Sequence, residues 1–145
     1  MIDEILQKAK KFCAYQERCI GDVIRKLQTF HLTKKDEEKI IKQLKIEDYL
    51  NEERFVEQYV KHKVFDKKWG AVKIYHALFQ KGISKSLIAE KVAQIDDQTF
   101  ENQMKIAIEK WKRTHDFENV DETKLIRYLL SKGFPYELIA KQLNK

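Results

Sequence analysis

Residues 81–92 read Lys-Gly-Ile-Ser-Lys-Ser-Leu-Ile-Ala-Glu-Lys-Val, and residues 132–143, 51 positions later, read Lys-Gly-Phe-Pro-Tyr-Glu-Leu-Ile-Ala-Lys-Gln-Leu. The copies share Lys-Gly, an apolar residue after the glycine, and Leu-Ile-Ala. Upstream, Ile74, Leu78 and Phe79 align with Leu125, Leu129 and Leu130 at the same spacing. Carried backwards, it sets Leu27 on Leu78, Leu32 on Ile83 and Ile41 on Val92, with His31 in place of the turn glycine. A repeat of this length dominates every other constraint, because a unit of about 50 residues has only a small core of its own and gains by sharing apolar contacts with neighbours.

The repeat is helical. In the middle copy Phe55, Val56, Tyr59, Val60 and Val64 follow the spacing of one helical face. Phe100, Met104, Ala107, Ile108 and Trp111 make the matching stripe in the last copy, and Ile2, Ile5, Leu6, Ala9, Phe12 and Cys13 in the first. Asn51 suits an N-cap, with Glu52 and Glu53 at the positive end of the helix dipole. Gly82 and Gly133 can take the left-handed conformation that closes a helix; Ser84 can cap the helix after the first of them, and Pro135 suits the first turn after the second. Thr33 with Asp36 makes a similar start. The chain has only four glycines and one proline, too few for the turns of a β-sandwich or barrel.

The expectation is an all-α fold of three tandem three-helix repeats, at 1–47, 48–96 and 97–145, forming an elongated, curved array. Helices are expected at 3–17, 20–30 and 34–45; 51–65, 69–80 and 84–94; and 98–114, 121–131 and 135–143. Phe12, Phe55, Tyr59, Phe79, Phe100 and Trp111 fall on apolar stripes and are expected in the core. Trp69, beside Gly70 and after Lys67-Lys68, either packs the start of a helix or serves as a contact residue at a turn.

The formal charge is +6. It is unevenly spread: residues 51–95 hold nine basic and five acidic residues, whereas residues 96–145 hold nine of each. Such a field suits nucleic acid, an anionic membrane or an acidic protein surface, and equally a solvated lysine-rich helix face. Between residues 61 and 81, Lys61, Lys63, Lys67, Lys68, Lys73 and Lys81 surround a single acid, Asp66. The dipole of the preceding helix accounts for Lys61 and Lys63 but does not require Lys67, Lys68 and Lys73.

Enzymatic chemistry has no visible home. Neither G-x-G-x-x-G nor a Gly-Lys-Ser/Thr phosphate loop occurs. His31, His62, His76 and His115 lack metal-ligand spacing, and Cys13 and Cys19 have no second pair to complete a zinc site. Six residues apart on a helix, those cysteines would point about 240° apart, so two reduced thiols are expected. No apolar run approaches a membrane span, and the first residues lack the features of a signal peptide. The reading is a cytoplasmic, non-enzymatic binding protein without cofactor or metal. Residues 71–93 also have the helix-turn-helix look of a DNA reader, although Ser84-Lys85-Ser86-Leu87 places one cation at the start of the second helix, where base-reading side chains are needed.

Asp48-Tyr49-Leu50-Asn51-Glu52-Glu53-Arg54-Phe55-Val56, then Trp69-Gly70, then Lys81-Gly82-Ile83, resembles the RecX family of bacterial recombination regulators in order and spacing. The family pattern reads roughly Gly-Tyr-Leu-Asn-Asp-Glu-Arg-Phe-Ala, a basic helix end, a glycine opening the next helix, then Lys-Gly-Ile. Ala14-Tyr15-Gln16-Glu17-Arg18-Cys19 is similar to the first-repeat segment, which usually ends Arg-Ser. Asp48 stands where glycine is usual, Glu52 where aspartate is, Val56 for a small residue and Cys19 for serine. The resemblance implies three tandem three-helix repeats that bind the RecA filament on single-stranded DNA, within its groove, and limit strand exchange, ATP hydrolysis and co-protease activity. Weak single- or double-stranded DNA binding is expected alongside, with no membrane partner, and a monomer is the expected state because a filament partner would supply the repetition. A RecA-independent helical DNA-binding protein is the alternative. Charge and expected exposure select Arg18, Arg54, Lys61, Lys63, Lys67, Lys68, Lys73 and Lys81 as contact residues.

Overall fold

A computed structural model describes residues 1–115 and 122–144. Its helices are α1 (Ile2–Tyr15), α2 (Ile20–Gln28), α3 (Lys34–Ile46), α4 (Glu52–Phe65), α5 (Ala71–Gln80), α6 (Lys85–Val92), α7 (Asp97–Thr114), α8 (Glu122–Ser131) and α9 (Tyr136–Gln142), and no strand occurs among the described residues. Each expected helix is present, with ends that agree within two residues; position 121, the expected start of the eighth, lies outside the described residues.

The starts follow from short polar side chains. Thr33, Asn51, Ser84 and Asp96 each accept the backbone N–H three residues on, at 3.1, 2.9, 3.3 and 2.7 Å. Cys19 caps α2 reciprocally with Asp22, whose carboxylate accepts the Cys19 N–H at 3.2 Å. A thiol is a weak acceptor, so Asp22 carries most of this cap. Helix ends follow from left-handed residues. Gly82 and Gly133 have φ of +87° and +97°, and the Ile83 and Phe134 N–H groups reach back to the carbonyls of Leu78 and Leu129 at 3.1 and 3.2 Å. His31 takes the same hand, φ +54°, so the first copy makes the turn without glycine.

Three apolar cores run along the chain. The first gathers Ile5, Ala9, Val23, Leu27, Ile40 and Leu44. The third gathers Met104, Ala107, Trp111, Leu125, Phe134 and Ile139. The middle core, built on Val56, Val60, Ile74, Leu78 and Ile88, also takes Cys19 from the first bundle and Phe100 from α7. Neighbouring units therefore do share apolar contacts. The surface area of 9260 Å² exceeds the about 7,900 Å² of a compact monomer of this mass, as an extended array requires. Phe79 departs from expectation: it is 47% exposed, because the buried stripe of α5 runs through Ile74 and Leu78 and leaves Phe79 about 100° to one side. Its repeat equivalent, Leu130, is 46% exposed.

The second helices of successive bundles meet end to end. The Gly70 N–H donates to the Lys132 carbonyl at 2.8 Å, and the Val72 N–H to the Gly133 carbonyl at 3.0 Å. Two orphan donors of α5 are thus satisfied by the turn that closes α8, joining the positive end of one helix to the negative end of the other. The approach leaves no room for side chains. A Cβ at Gly70 would lie 2.4 Å from the Gly133 oxygen, and one at Gly133 would lie 2.3 Å from the Lys73 Cβ. The first junction repeats the placement less tightly, with a Cβ at Gly21 falling 3.0 Å from the Lys81 carbonyl oxygen. There side chains add the linkage. Glu52 accepts the Ile20 N–H at 2.8 Å, and Arg54 binds Glu17 at 2.5 Å and Asp48 at 3.1 Å.

The two turn glycines should respond differently to alanine. A Cβ at Gly82 meets nothing within 4 Å, so Gly82→Ala should cost only the left-handed backbone penalty of about 1–2 kcal/mol. Gly133→Ala adds the collision with Lys73 and should cost about 2–5 kcal/mol. Urea unfolding of both variants checks this, and equal losses would contradict the tight junction. His31→Gly relieves the same penalty and should raise Tm by about 2–4 °C.

Candidate functional site

Four of the eight selected cations converge at the end of α4 and the start of α5. Trp69 packs its ring on the middle core while Lys63 Nζ and Lys73 Nζ lie 4.5 and 4.4 Å from its centroid. Trp69 therefore packs the helix start, and its ring also carries two lysine ammonium groups. Its backbone N–H donates to the Lys63 carbonyl at 2.9 Å, closing α4 over the left-handed residue Lys68, whose φ is +58°. The Lys68 ammonium turns back onto the Phe65 carbonyl, and Lys67 is exposed.

The junction adds a cation that counting charge along the chain does not find. Lys132 Nζ donates to the Lys67 carbonyl at 2.6 Å. Its pKa is lowered, by burial first and then by Lys73, Lys110, Lys67 and Lys68. The Lys63 pKa is lowered likewise, by burial and then by Lys67, Lys73 and Lys81. Lysines from two bundles thus repel one another around one tryptophan, an arrangement that an approaching anion relieves. The electrically neutral last third of the sequence contributes Lys132 and Lys110. The signal for Lys132 was present in the repeat, where it is the equivalent of Lys81.

The remaining selected residues lie elsewhere. Arg54 is occupied by Glu17, Asp48 and the Asp48 carbonyl, which places its charge in the first junction. Asp48 itself has φ +63°, the backbone of a glycine position, and its carboxylate is one of the Arg54 partners. Lys61 pairs with Glu57 at 3.5 Å and lines a hollow with Lys91, around α4 from Lys63. Arg18 stacks on Phe12 at 3.8 Å, and its Nε donates to the Phe12 carbonyl at 3.0 Å. It shares a shallow hollow with Lys26 and Lys81. Lys81 reaches Asp22 at 3.5 Å and lies 5.9 Å from the Phe55 ring, linking this hollow towards the Trp69 cluster.

The geometry can hold an extended anionic partner across two bundle junctions. Among the described residues no group of side chains is arranged to hold a metal ion, and no helix is long and apolar enough to cross a membrane. Residues 51–91 match the family model for the second three-helix domain of RecX, and residues 96–143 match that for the third. The chain belongs to the RecX family. Regulatory protein RecX of Clostridium tetani is 34% identical over 142 residues, covering 94% of this chain and 64% of the relative. That of Clostridium botulinum strain Eklund 17B is 32% identical over 138 residues, covering 86% and 64%. The chain thus spans about 64% of the length of these curated relatives. The crystal structure of RecX from Lactobacillus salivarius superposes with a TM-score of 0.86 at 22% identity, covering 99% of this chain and 94% of that one. It shares the fold. These RecX relatives are regulatory proteins by name.

The depressed lysines have a consequence in alkaline solution. With their folded pKa below the ordinary 10.5, the unfolded state binds more protons between the two values. Stability therefore rises with pH through that window, as these two repelling charges are lost. Lys73→Met removes a neighbour of both. Lys63 and Lys132 should then titrate closer to the ordinary lysine value, read from their ¹³Cε shifts, and unmoved titrations would show that the cluster is not coupled.

Proposed function

We propose that this RecX-family chain is a cytoplasmic, monomeric regulator that binds the RecA–single-stranded DNA filament and suppresses strand exchange, ATP hydrolysis and co-protease activity. Its three repeats, taken at 1–47, 48–96 and 97–145, lie along the filament, and no cofactor or catalytic step is involved. Family membership supplies the target. The observation that carries the mode of binding is the cluster of Lys63, Lys67, Lys68, Lys73 and Lys132 around Trp69, which spans two bundles. Neighbouring filament subunits present a surface that repeats in space. An array holding its cations on more than one unit can bridge such subunits, and the gain comes from multiple linked contacts rather than one deep pocket. Direct DNA affinity is weak in this reading, because about half of the selected cations are taken up by internal partners.

One observation favours a second reading, a helical protein that binds DNA without RecA. Cations beside an aromatic ring are also how single strands are held, through phosphates and stacked bases. Against it, the start of α6 offers only Lys85 for reading base edges, and Lys85 lies 5.6 Å from the Phe79 ring.

Adding the protein to RecA on single-stranded DNA should lower ATP hydrolysis and shorten filaments at stoichiometric concentration. No effect there sinks the proposal, and tight sequence-dependent duplex binding without RecA favours the second reading. Reversing Lys67, Lys68 and Lys73 to Glu should raise the half-inhibitory concentration at least about tenfold, or ~1.4 kcal/mol, with helicity kept. Unchanged inhibition would move the contact surface elsewhere.

A further inference from the structure

Beside the junction of α5 and α8, facing away from the lysine cluster, lies a cleft of about 750 Å³. Its floor is apolar: Ala71 from α5, Ile95 from the segment before α7 and Leu138 from α9 are half-buried, over the buried rings of Phe100 and Phe134. Its rim is acidic, with Asp96 and Asp97 at the start of α7, Glu101 one turn on and Glu137 in the first turn of α9. The one cation lining it, Lys141, pairs with Glu101 at 3.2 Å. On a chain of formal charge +6 this is a local reversal of sign.

Helix starts explain why acids stand at each of these positions singly. Asp96 caps α7 through the Thr99 N–H, and Asp97 and Glu137 suit the helix dipoles. They do not explain the unfilled apolar volume that the acids surround. The repeat shows where that volume comes from. Ala71 and Ala93, which both line the cleft, occupy the positions held by Ile20 and Lys42 in the first copy. Smaller side chains at these two places widen the second junction on this side.

We infer that the cleft is a docking site for a cationic amphipathic peptide segment of a partner protein, with an apolar anchor on Ala71, Ile95 and Leu138 and flanking lysines or arginines on the acidic rim. The occupant follows from charge complementarity. The acids come from the starts of two different helices, α7 and α9, so a single amine would meet only part of them. A helix carrying apolar residues at i and i+4 with cations beside them meets both groups at once. The volume is that of a binding cleft rather than a packing defect. This inference does not depend on RecA.

A labelled synthetic helical peptide with leucines on one face and lysines flanking them tests it, followed by fluorescence anisotropy on the intact protein. The peptide should bind saturably, more weakly as salt rises, and its twin with Glu for Lys should bind at least about tenfold more weakly. Asp97→Lys with Glu137→Lys should weaken binding by a similar factor. Ala71→Ile, which restores the first copy's residue, should do so by filling the floor. Asp97→Asn with Glu137→Gln serves as the milder pair should either variant lose helicity. Amide shifts on peptide addition should centre on α7 and α9. No binding, equal binding of the acidic twin, undiminished binding by the folded variants, or shifts centred on Trp69 would each overturn the inference. So would self-association that Ala71→Ile abolishes in the absence of peptide binding, since the cleft would then hold a second copy.

Discussion

The backbone contact between Gly70 and the Lys132–Gly133 turn is the constraint from which the second half of the array follows. Two N–H groups at the start of α5 have no partner within their own helix, and two carbonyls at the end of α8 supply them at 2.8 and 3.0 Å. The bonds form only because neither glycine carries a side chain. Once they form, the relative position of the two bundles is set by main-chain geometry rather than by side-chain fit. Phe100 is then carried into the middle core and Lys132 onto the Lys67 carbonyl. The first junction reaches a similar placement by different means. Cys19 is inserted whole into the neighbouring core, Glu52 caps Ile20, and Arg54 ties Glu17 to Asp48. Surface ion pairs contribute only about 0–1 kcal/mol each, so the buried Cys19 carries more of this junction than the charges around it.

Three of the four residues that depart from the family pattern fall on the first joint, while Val56 lies in the middle core. Asp48 adopts the left-handed backbone that a glycine takes without cost, and offsets part of the penalty by pairing with Arg54. Glu52, where aspartate is usual, reaches the Ile20 N–H across the junction. Cys19 in place of serine gives up a strong cap, and the recovered term is apolar burial, since the thiol is wholly enclosed and burial pushes its pKa up. Each exchange keeps the joint while changing the interaction that holds it.

The helices were legible because their signals are local. Caps at Thr33, Asn51 and Ser84 act within one turn, the apolar stripes repeat at helical spacing, and Gly82 and Gly133 mark their own turns. Phe79 lies exposed because a stripe read from sequence is wider than the strip that packing covers. The cation cluster was half legible. Lys63, Lys67, Lys68 and Lys73 lie within a short stretch, and proximity in sequence places them together. Lys132 and Lys110 come from a neutral third of the chain, and net charge along a window carries no information about which bundle will meet which. Arg54 shows the converse. Its sequence neighbourhood does not show that its charge is taken up, because the acids that occupy it, Glu17 and Asp48, are brought to it by the first junction, with Glu17 arriving from the neighbouring bundle.

The same turn also divides the surface into two fields. Lys132 leads into Gly133, and the chain leaves through Phe134 and Pro135. Gly133 is left-handed and pressed against α5, and the residues before and after it lead into two different sites. Lys132 joins Lys73 and Trp69, while Phe134 floors the acid-rimmed cleft beside Ala71. On α5 itself, Ala71 and Lys73 are two residues apart, about 200° around the axis, which is the same division seen from the other side of the joint. A basic face for an anionic partner and an acidic cleft of opposite preference are therefore products of one backbone contact. Any change that opens the Gly70–Gly133 approach must disturb both fields together, whereas side-chain substitutions on either face can alter one and leave the other intact.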